Sequence, residues 1–471
     1  MARTIDELPG PRGLPLIGNA HQLVRTSRVH ITAEEWSRRY GPIMRVDVGR
    51  RRIVGISDLD AINEILRERP EGFRRWRELE AIGRELGPTG VVVAEGEEWR
   101  RQRQLVVRAL NSNYLHRYFD VIRIATERLH RRLSTAARNG VPVQATKVLT
   151  SYAVDITSTL AFGVELNTLE RGENEMQTNI QRIMQMTSRR LSLPIPYWRW
   201  VKLPADRALE RSVAEVYRAV EGFIEQARAR MRERPELFDA PENFLEAMLA
   251  AQREDGTFTD EEIVGNVQTL LVAGEDTTAH TLAWTIWLIC SRPDVQRRLC
   301  DEARSVLGDG VLPAEHTVIE RLEYSEAVLR ESMRVKAVGP LVAIEPLVDR
   351  TICDTHIPAG TRLLLLMREA ALRREQSERE FDPERWLKGP VPDQKSFLAF
   401  GAGPRFCPGR NLAFLESKTA LAMIARNFEV ELEDANRPVR ELLNFTMIPD
   451  GLSIRLTPRA LTTAGMVSTG A

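Results

Sequence analysis

The chain has 471 residues, 43% of them hydrophobic and 28% charged, with 66 Lys and Arg against 66 Asp and Glu. That balance excludes a strongly basic nucleic-acid binder or a polybasic membrane-surface protein, and the apolar share is ample for a core. Length alone allows about three average domains, but no linker divides the chain, so residues 1–457 read as one domain with a proline-rich arm over 1–20 and a flexible tail over 458–471.

Leu8-Pro-Gly-Pro-Arg-Gly-Leu-Pro-Leu-Ile-Gly-Asn19 is too rich in Pro and Gly for regular structure and reads as an extended surface arm. Tyr40-Gly-Pro-Ile-Met-Arg-Val-Asp-Val-Gly and Arg52-Ile-Val-Gly-Ile-Ser-Asp predict two short strands around a Gly-containing turn. From about 95 to 335 apolar residues recur at helical spacing, with breaks near Asn139-Gly-Val-Pro, Pro194-Ile-Pro and Pro235. The longest helix is predicted from Thr259, whose spacing to Glu262 makes a capping box, to Cys290, where Ser291-Arg-Pro293 stops it. At 1.5 Å per residue it spans about 48 Å. Strand signals return at Leu363 to Met367 and Leu452 to Leu456. The fold class is mainly α with a small β-rich lobe.

Cys290, Cys300, Cys353 and Cys407 are widely spaced, without the pairing of a disulfide framework or zinc site, which suits a reducing cytosol. The N-terminus has no apolar h-region, and no run approaches about 18 uninterrupted apolar residues. A cytoplasmic protein without a membrane anchor is expected. Few of the basic residues are Lys, an Arg bias that points to a GC-rich bacterial genome.

The chemistry concentrates at Phe400-Gly-Ala-Gly-Pro-Arg-Phe-Cys407-Pro-Gly409. A free cysteine titrates near 8.5, so it commits to a metal only where metal and local dipoles favour the anion. Gly403 and Gly409 lack a Cβ and can take φ > 0, bringing backbone N–H groups close to the sulfur and to a flat macrocycle. The apolar helix that starts at the cysteine adds its N-terminal dipole. Phe400 can shield the sulfur from water, and Arg405 can reach a haem propionate. The bland alternative is an inert buried cysteine in a Gly-rich turn.

Every fixed position of Phe-x-x-Gly-x-Arg-x-Cys-x-Gly is matched, and the run resembles the haem-binding signature of the cytochrome P450 family. The resemblance covers nearly the whole chain, from the proline-rich arm to the strand after the ligand loop. It implies a helix-rich triangular body with haem b held between the long helix and the cysteine loop, and Cys407 as the iron ligand. Ala273-Gly-Glu-Asp-Thr-Thr278, in the middle of the long helix, resembles the distal pattern of that family. Three and four spacing puts Gly274, Thr277 and Thr278 on one face, a gap in bulk beside two hydroxyls. The resemblance makes Thr277 the oxygen-activation residue, Asp276 its acidic partner in proton delivery, and Ala273 and Gly274 haem contacts. By itself, a helical Thr more often returns its hydroxyl to the preceding turn.

Glu331 and Arg334, with Arg385 in Phe381-Asp-Pro-Glu-Arg385-Trp386, resemble the buried Glu-x-x-Arg triad of the family; in isolation such a spacing usually marks a solvated pair. Trp99 and Arg103 resemble its propionate-binding pair, an indole N–H and a guanidinium fork suited to a carboxylate. Arg100 and Arg101 beside them suit either a solvated face or an acidic electron donor. Two departures stand out. After Gly339-Pro340, where many relatives carry an Arg for the second propionate, the chain reads Leu-Val-Ala-Ile-Glu345, and Leu372-Arg-Arg-Glu replaces the common His-Arg-Asp.

By this resemblance the protein is a haem-thiolate monooxygenase. It takes dioxygen, a hydrophobic small molecule, and electrons from a separate ferredoxin or flavodoxin system with its reductase. It hydroxylates or epoxidises its substrate and works as a monomer. A peroxide-driven peroxygenase would not need the acid and alcohol of Asp276 and Thr277, and a non-catalytic haem sensor would bring an output module. The pocket should draw on Trp76 to Val93, on Thr269, Leu270 and Ala273, on Val338 to Ile344 and on Phe445 to Met447. Arg189, Arg190 and Arg199 suit either a solvated face or a carboxylate at the entrance.

Overall fold

The computed structural model describes residues 2–459 apart from 24–27, 50, 111, 173–174, 194, 257, 374–378 and 388–393. Helices dominate the described residues, accompanied by small sheets, as the composition and periodicity lead one to expect.

The long helix runs Asp260–Cys290, and both halves of its capping box form: the Glu262 N–H donates to the Thr259 hydroxyl at 3.1 Å and the Thr259 N–H to the Glu262 carboxylate at 3.1 Å. Apolar residues occupy all its faces rather than one stripe, so it is buried through most of its length. It packs chiefly on the helix Ala145–Phe162. A Cβ at Gly274 would lie 2.8 Å from the Thr157 hydroxyl of that helix, so the absent side chain is what allows the two backbones to approach.

The helix Arg410–Asn427 follows the cysteine loop and is buried from Phe414 onward. It begins three residues after Cys407, not at it, because Gly409 is its N-cap. The expected break at Asn139 ends the helix Ser112–Arg138, and Pro235 opens a short 3-10 turn. Pro194, Arg374 and Glu375 lie outside the described residues.

A five-stranded mixed sheet carries the order Ile43–Val48, Arg51–Ile56, Arg362–Leu366, Leu341–Pro346, Phe73–Arg75. The first three strands follow their sequence signals; the last two do not announce themselves. In the antiparallel pairing of the last two, Arg74 stands opposite Glu345 and Arg75 opposite Ile344. Successive side chains of a strand face opposite ways, so the two arginines serve different surroundings. The strand Ser453–Pro458 pairs Pro458 with Phe428, one residue past the expected boundary of the tail, and 460–471 lie outside the described residues.

Candidate active site

The cysteine loop is held from three sides. Its own turn is closed by the Cys407 N–H donating to the Phe400 carbonyl at 2.9 Å. Gly403 has φ +67°, and a Cβ there would lie 2.5 Å from the Leu66 carbonyl oxygen, so the loop lies against the helix Leu59–Arg67 in a way only glycine permits. Gly409 is different: its φ is −81°, ordinary for any residue, because it caps the following helix. The sequence expectation of positive φ there is corrected. Gly409 contributes a backbone hydrogen bond to the sulfur instead. Phe400 sits among Phe397, Phe406 and Phe414, with ring centroids 5.9, 6.4 and 5.6 Å away, an apolar floor beneath the loop.

Burial pushes the Cys407 thiol up, while the Gly409 N–H and the Arg103 charge pull the other way. Burial wins. The loop's dipoles do not ionise the sulfur by themselves; a metal that takes the anion must supply the rest.

The expected triad of Glu331, Arg334 and Arg385 comes together. Arg334 donates to both Glu331 oxygens, at 2.8 and 2.7 Å, with Glu331 at 0% and Arg334 at 1% side-chain exposure. Arg385 lies 3.3 Å from the same carboxylate. Sequence reasoning missed two further donors, the Trp386 indole N–H at 2.9 Å and the Asp382 N–H at 3.0 Å. Arg334 also donates to the Ala371 and Glu380 carbonyls, at 3.3 and 3.2 Å.

Trp99 and Arg103 lie one turn apart on the helix Gly96–Ala109. Arg103 donates to the Phe406 carbonyl at 2.6 Å, next to the cysteine. Arg405 does not stand free for a propionate as expected: it donates to the Ala94 carbonyl at 2.8 Å and to Glu95 at 2.6 Å, and it stacks 4.6 Å over the Trp99 ring. Arg69 and Arg75, which sequence reasoning did not single out, converge on the same Glu95. Arg69 lies 3.8 Å from its carboxylate, and the Arg75 backbone N–H donates to it at 3.1 Å. Burial lowers the proton affinity of all three guanidinium groups, that of Arg405 to about 10, and the Arg75 charge depresses Arg69 and Arg405 further. The Nε atoms of Arg69, Arg75 and Arg405 and Nη2 of Arg69 are buried without a hydrogen-bond partner. A buried, under-neutralised group of N–H donors beside a cysteine loop fits a flat metallocycle carrying two carboxylates, so the residues suit a haem.

On the long helix, Ala273 and Thr277 share a face, and the Thr277 hydroxyl donates to the Ala273 carbonyl at 2.7 Å, the common habit of a helical Thr. Its lone pairs remain available to accept. Gly274 and Thr278 turn elsewhere: the gap expected beside the hydroxyls seats Thr157, and Thr278 hydrogen-bonds Glu416 of the Arg410–Asn427 helix. The shared face of Gly274, Thr277 and Thr278 is therefore corrected. That Thr278 contact lies about 9 Å along the helix that follows Cys407, which brings the cysteine loop and the Ala273–Thr278 stretch into one neighbourhood. Burial raises the Asp276 carboxyl to about 6 and the Glu416 carboxyl to about 8. Asp276 thus titrates in the range where a group can both take and give a proton.

The expected lining of the pocket is drawn together in part. A Cβ at Gly90 would meet the Thr269 hydroxyl and the Gly265 carbonyl, and the Val91 N–H donates to Asn266 at 2.8 Å, so the loop before Val93 lies on the long helix. The Trp76 indole donates to the Ile344 and Leu363 carbonyls at 2.8 and 3.1 Å. Buried His280, lowered to about 4 and so neutral, ties Thr446 to the long helix at 2.8 Å. Two of the three entrance arginines are spoken for: buried Arg190 pairs with Asp206 at 3.1 Å, and exposed Arg199 with Glu85 at 2.7 Å. Arg100 pairs with Glu71 and Glu97, and Arg101 with Glu262, so the donor-facing reading of those two loses its free charge. Glu345, in the stretch that lacks the usual propionate arginine, is engaged by Arg74 and Arg77, at 3.7 and 3.1 Å.

A model of the family described as Cytochrome P450 matches residues 8–456. The chain is 29% identical over 473 residues to the mitochondrial 25-hydroxyvitamin D-1 alpha hydroxylase of Homo sapiens, covering 95% of this chain and 91% of that protein. It is 27% identical to Protein LUTEIN DEFICIENT 5, chloroplastic, of Arabidopsis thaliana, covering 93% and 76%. With Cytochrome P450 71A26 of the same plant it shares 28% identity over 90% of this chain and 87% of the relative.

Proposed function

We propose, from the premise that the chain belongs to the cytochrome P450 family, that this haem-thiolate monooxygenase hydroxylates or epoxidises a hydrophobic small molecule in the cytoplasm. Its electrons come from a separate ferredoxin or flavodoxin. The observation that carries the reading is the cysteine loop, closed on Phe400 and roofed by Arg103, in the neighbourhood of the Ala273–Thr278 stretch of the long helix. Haem supplies the dioxygen chemistry when bound, and thiolate ligation favours O–O cleavage.

The chain's own residues then divide the work. Cys407 is the ligand, and Gly409 N–H and Arg103 temper its charge. Phe400 and its aromatic neighbours keep water from the sulfur. Asp276, near 6, carries a proton toward the Thr277 hydroxyl, which offers its lone pairs beside Ala273. Relatives named as hydroxylases support the reaction class. Donor docking is supported by a hollow of about 640 Å³ next to the cysteine loop, where Arg67 and Arg410 flank Phe406 and Ala402 while Arg330 pairs with Glu326 at 2.6 Å.

The test is the optical spectrum of the reduced protein under carbon monoxide. A strongly red-shifted Soret band, absent in Cys407→Ala, supports thiolate ligation. An ordinary histidine-type band in intact parent protein removes it. Product formed with reductant, oxygen and a donor system, and not with peroxide alone, separates the monooxygenase from a peroxygenase.

A further inference from the structure

The proton path through Asp276 and Thr277 leaves one acid of the same stretch unused. Glu275 is 3% exposed on the long helix, and its Oε1 is buried without a hydrogen-bond partner. Buried Gln177 and half-buried Gln181, both on the helix Glu175–Ser192, hydrogen-bond its carboxyl. No cation answers it. Arg182 of that helix turns to the Ser212 hydroxyl at 2.9 Å and Arg190 to Asp206 at 3.1 Å. Asp155, on the helix Ala145–Phe162, is taken up by the Thr168 and Leu169 N–H groups. Asp276, a like charge, is the one charged group among the described residues whose field reaches Glu275.

Burial, and after it the Asp276 charge, raises the Glu275 carboxyl well above its ordinary value, so it keeps a proton where an exposed glutamate has lost it. The two amides pull the other way, hence they donate to its lone pairs, and the O–H of the neutral acid finds no acceptor in this chain. A buried donor left so is costly and calls for a reason. The next residue supplies one. Asp276 empties when it gives its proton toward Thr277, and inserting one oxygen atom while releasing the other as water consumes a second proton after the first. We propose that Glu275 stores the proton that refills Asp276 within each turnover. The Glu275 O–H bond breaks as the Asp276 O–H bond forms, and Glu275, then a buried anion without a cation, regains a proton from solvent past Gln181. Side chains one apart on a helix diverge by about 100°, so a water molecule carries the proton between them. Glu275 acts only through Asp276. This rests on the haem-thiolate reading above and deepens its proton delivery.

Glu275→Gln keeps the shape and the neutrality and removes the dissociable proton. Infrared spectra of the ferric holoprotein at pH 7, parent minus variant, should show the carbonyl band of a protonated carboxylic acid. If the variant fails to hold haem, the parent carries the test, because the same band should shift in Asp276→Asn. The second readout is the share of consumed dioxygen released as peroxide, with a ferredoxin and its reductase as donor and no substrate added. At pH 8, where Asp276 is empty, that share should be at least about twofold higher in Glu275→Gln than in the parent; at pH 5, where Asp276 is loaded, the two should agree. A merely structural Glu275 predicts a change in Glu275→Leu and none in Glu275→Gln. A difference spectrum without the acid band, or a peroxide share that follows the parent at both pH values, overturns the proposal. Thr277→Ala keeps the two readings apart: an unchanged peroxide share there brings down the relay of Asp276 and Thr277 itself, whereas a raised one beside a parent-like Glu275→Gln brings down only Glu275.

Discussion

Glu331 and Glu95 are both carboxylates sunk among arginines, at 0% and 10% side-chain exposure, yet they differ in how far their arginines are satisfied. Around Glu331, Arg334, an indole and a backbone N–H donate to the carboxylate, two main-chain carbonyls take up spare donors of Arg334, and Arg385 lies 3.3 Å away with its Nε making no hydrogen bond. Around Glu95, cations outnumber the carboxylate and several of their donors are unmet. The difference teaches that a buried ion cluster reports its purpose by its balance: a closed one holds the fold, an open one awaits a ligand. The physical reason is that a buried charge without a partner costs several kcal/mol, so an imbalance persists only where something else redeems it.

The harshest way to break the comparison is Glu331→Ala, which strands Arg334 at 1% exposure. A loss of about 3 to 5 kcal/mol is expected, together with failure to incorporate haem. Haem content near that of the parent would show that the closed cluster is dispensable. Glu95→Gln is the sharper counterpart. It keeps an acceptor for the Arg75 N–H and leaves three cations uncompensated, so the haem-free protein should lose about 3 kcal/mol. Propionates restore balance in the holoprotein, whose loss should be smaller. Melting temperatures of both forms decide it, since equal drops would mean the cluster is structural.

Asp276 offers a third kind of buried charge, with burial as the cause of its shift. Its carboxyl is raised from 3.8 to about 6, so the folded state binds more protons than the unfolded one between those values. Stability from this group is full below about pH 4 and is lost as pH rises through about 6. Asp276→Asn removes the loss. Urea titrations should give nearly equal stability at pH 4 and an advantage of about 3 kcal/mol to the variant at pH 8; parallel curves would contradict the burial. The adjacent Thr277→Ala tests function without moving charge: haem stays bound, and reducing equivalents are diverted to peroxide. Unchanged coupling of electrons to product would remove Thr277 from proton delivery.

What the sequence made legible was local or signature-like. Thr259 and Glu262 fixed the start of the long helix because a capping box is a three-residue affair, and the cysteine run and the Glu331–Arg334 spacing are short patterns. What stayed hidden depended on register and on direction. Arg75 sits in Phe73-Arg-Arg-Trp76, a stretch too short to read as a strand, and its partners come from residues 20 and more positions away. In a chain with this much arginine, nothing local separates Arg74, whose side chain pairs with Glu80 and Glu345, from Arg75; only the pairing with Leu341–Pro346 sets their registers. Gly274 illustrates direction: three and four spacing named its neighbours on the helix, but not that its bare face meets Thr157.

The smallest effect belongs to ion pairs outside either cluster. Arg100, 39% exposed, lies among Glu71 and Glu97, at 69% and 76% exposure, and water screens all three. Arg100→Ala should therefore change stability by less than about 1 kcal/mol. Its effect on reduction by an external donor should be equally slight, since its charge is already answered within the chain. Arg67, beside Phe406, pairs with no carboxylate among the described residues, and Arg67→Ala should slow reduction more strongly at low salt than at high salt. Stopped-flow reduction at two ionic strengths checks both. A larger loss at Arg100 than at Arg67 would move the docking face to the helix Gly96–Ala109, and would show that a paired surface charge can still steer a partner.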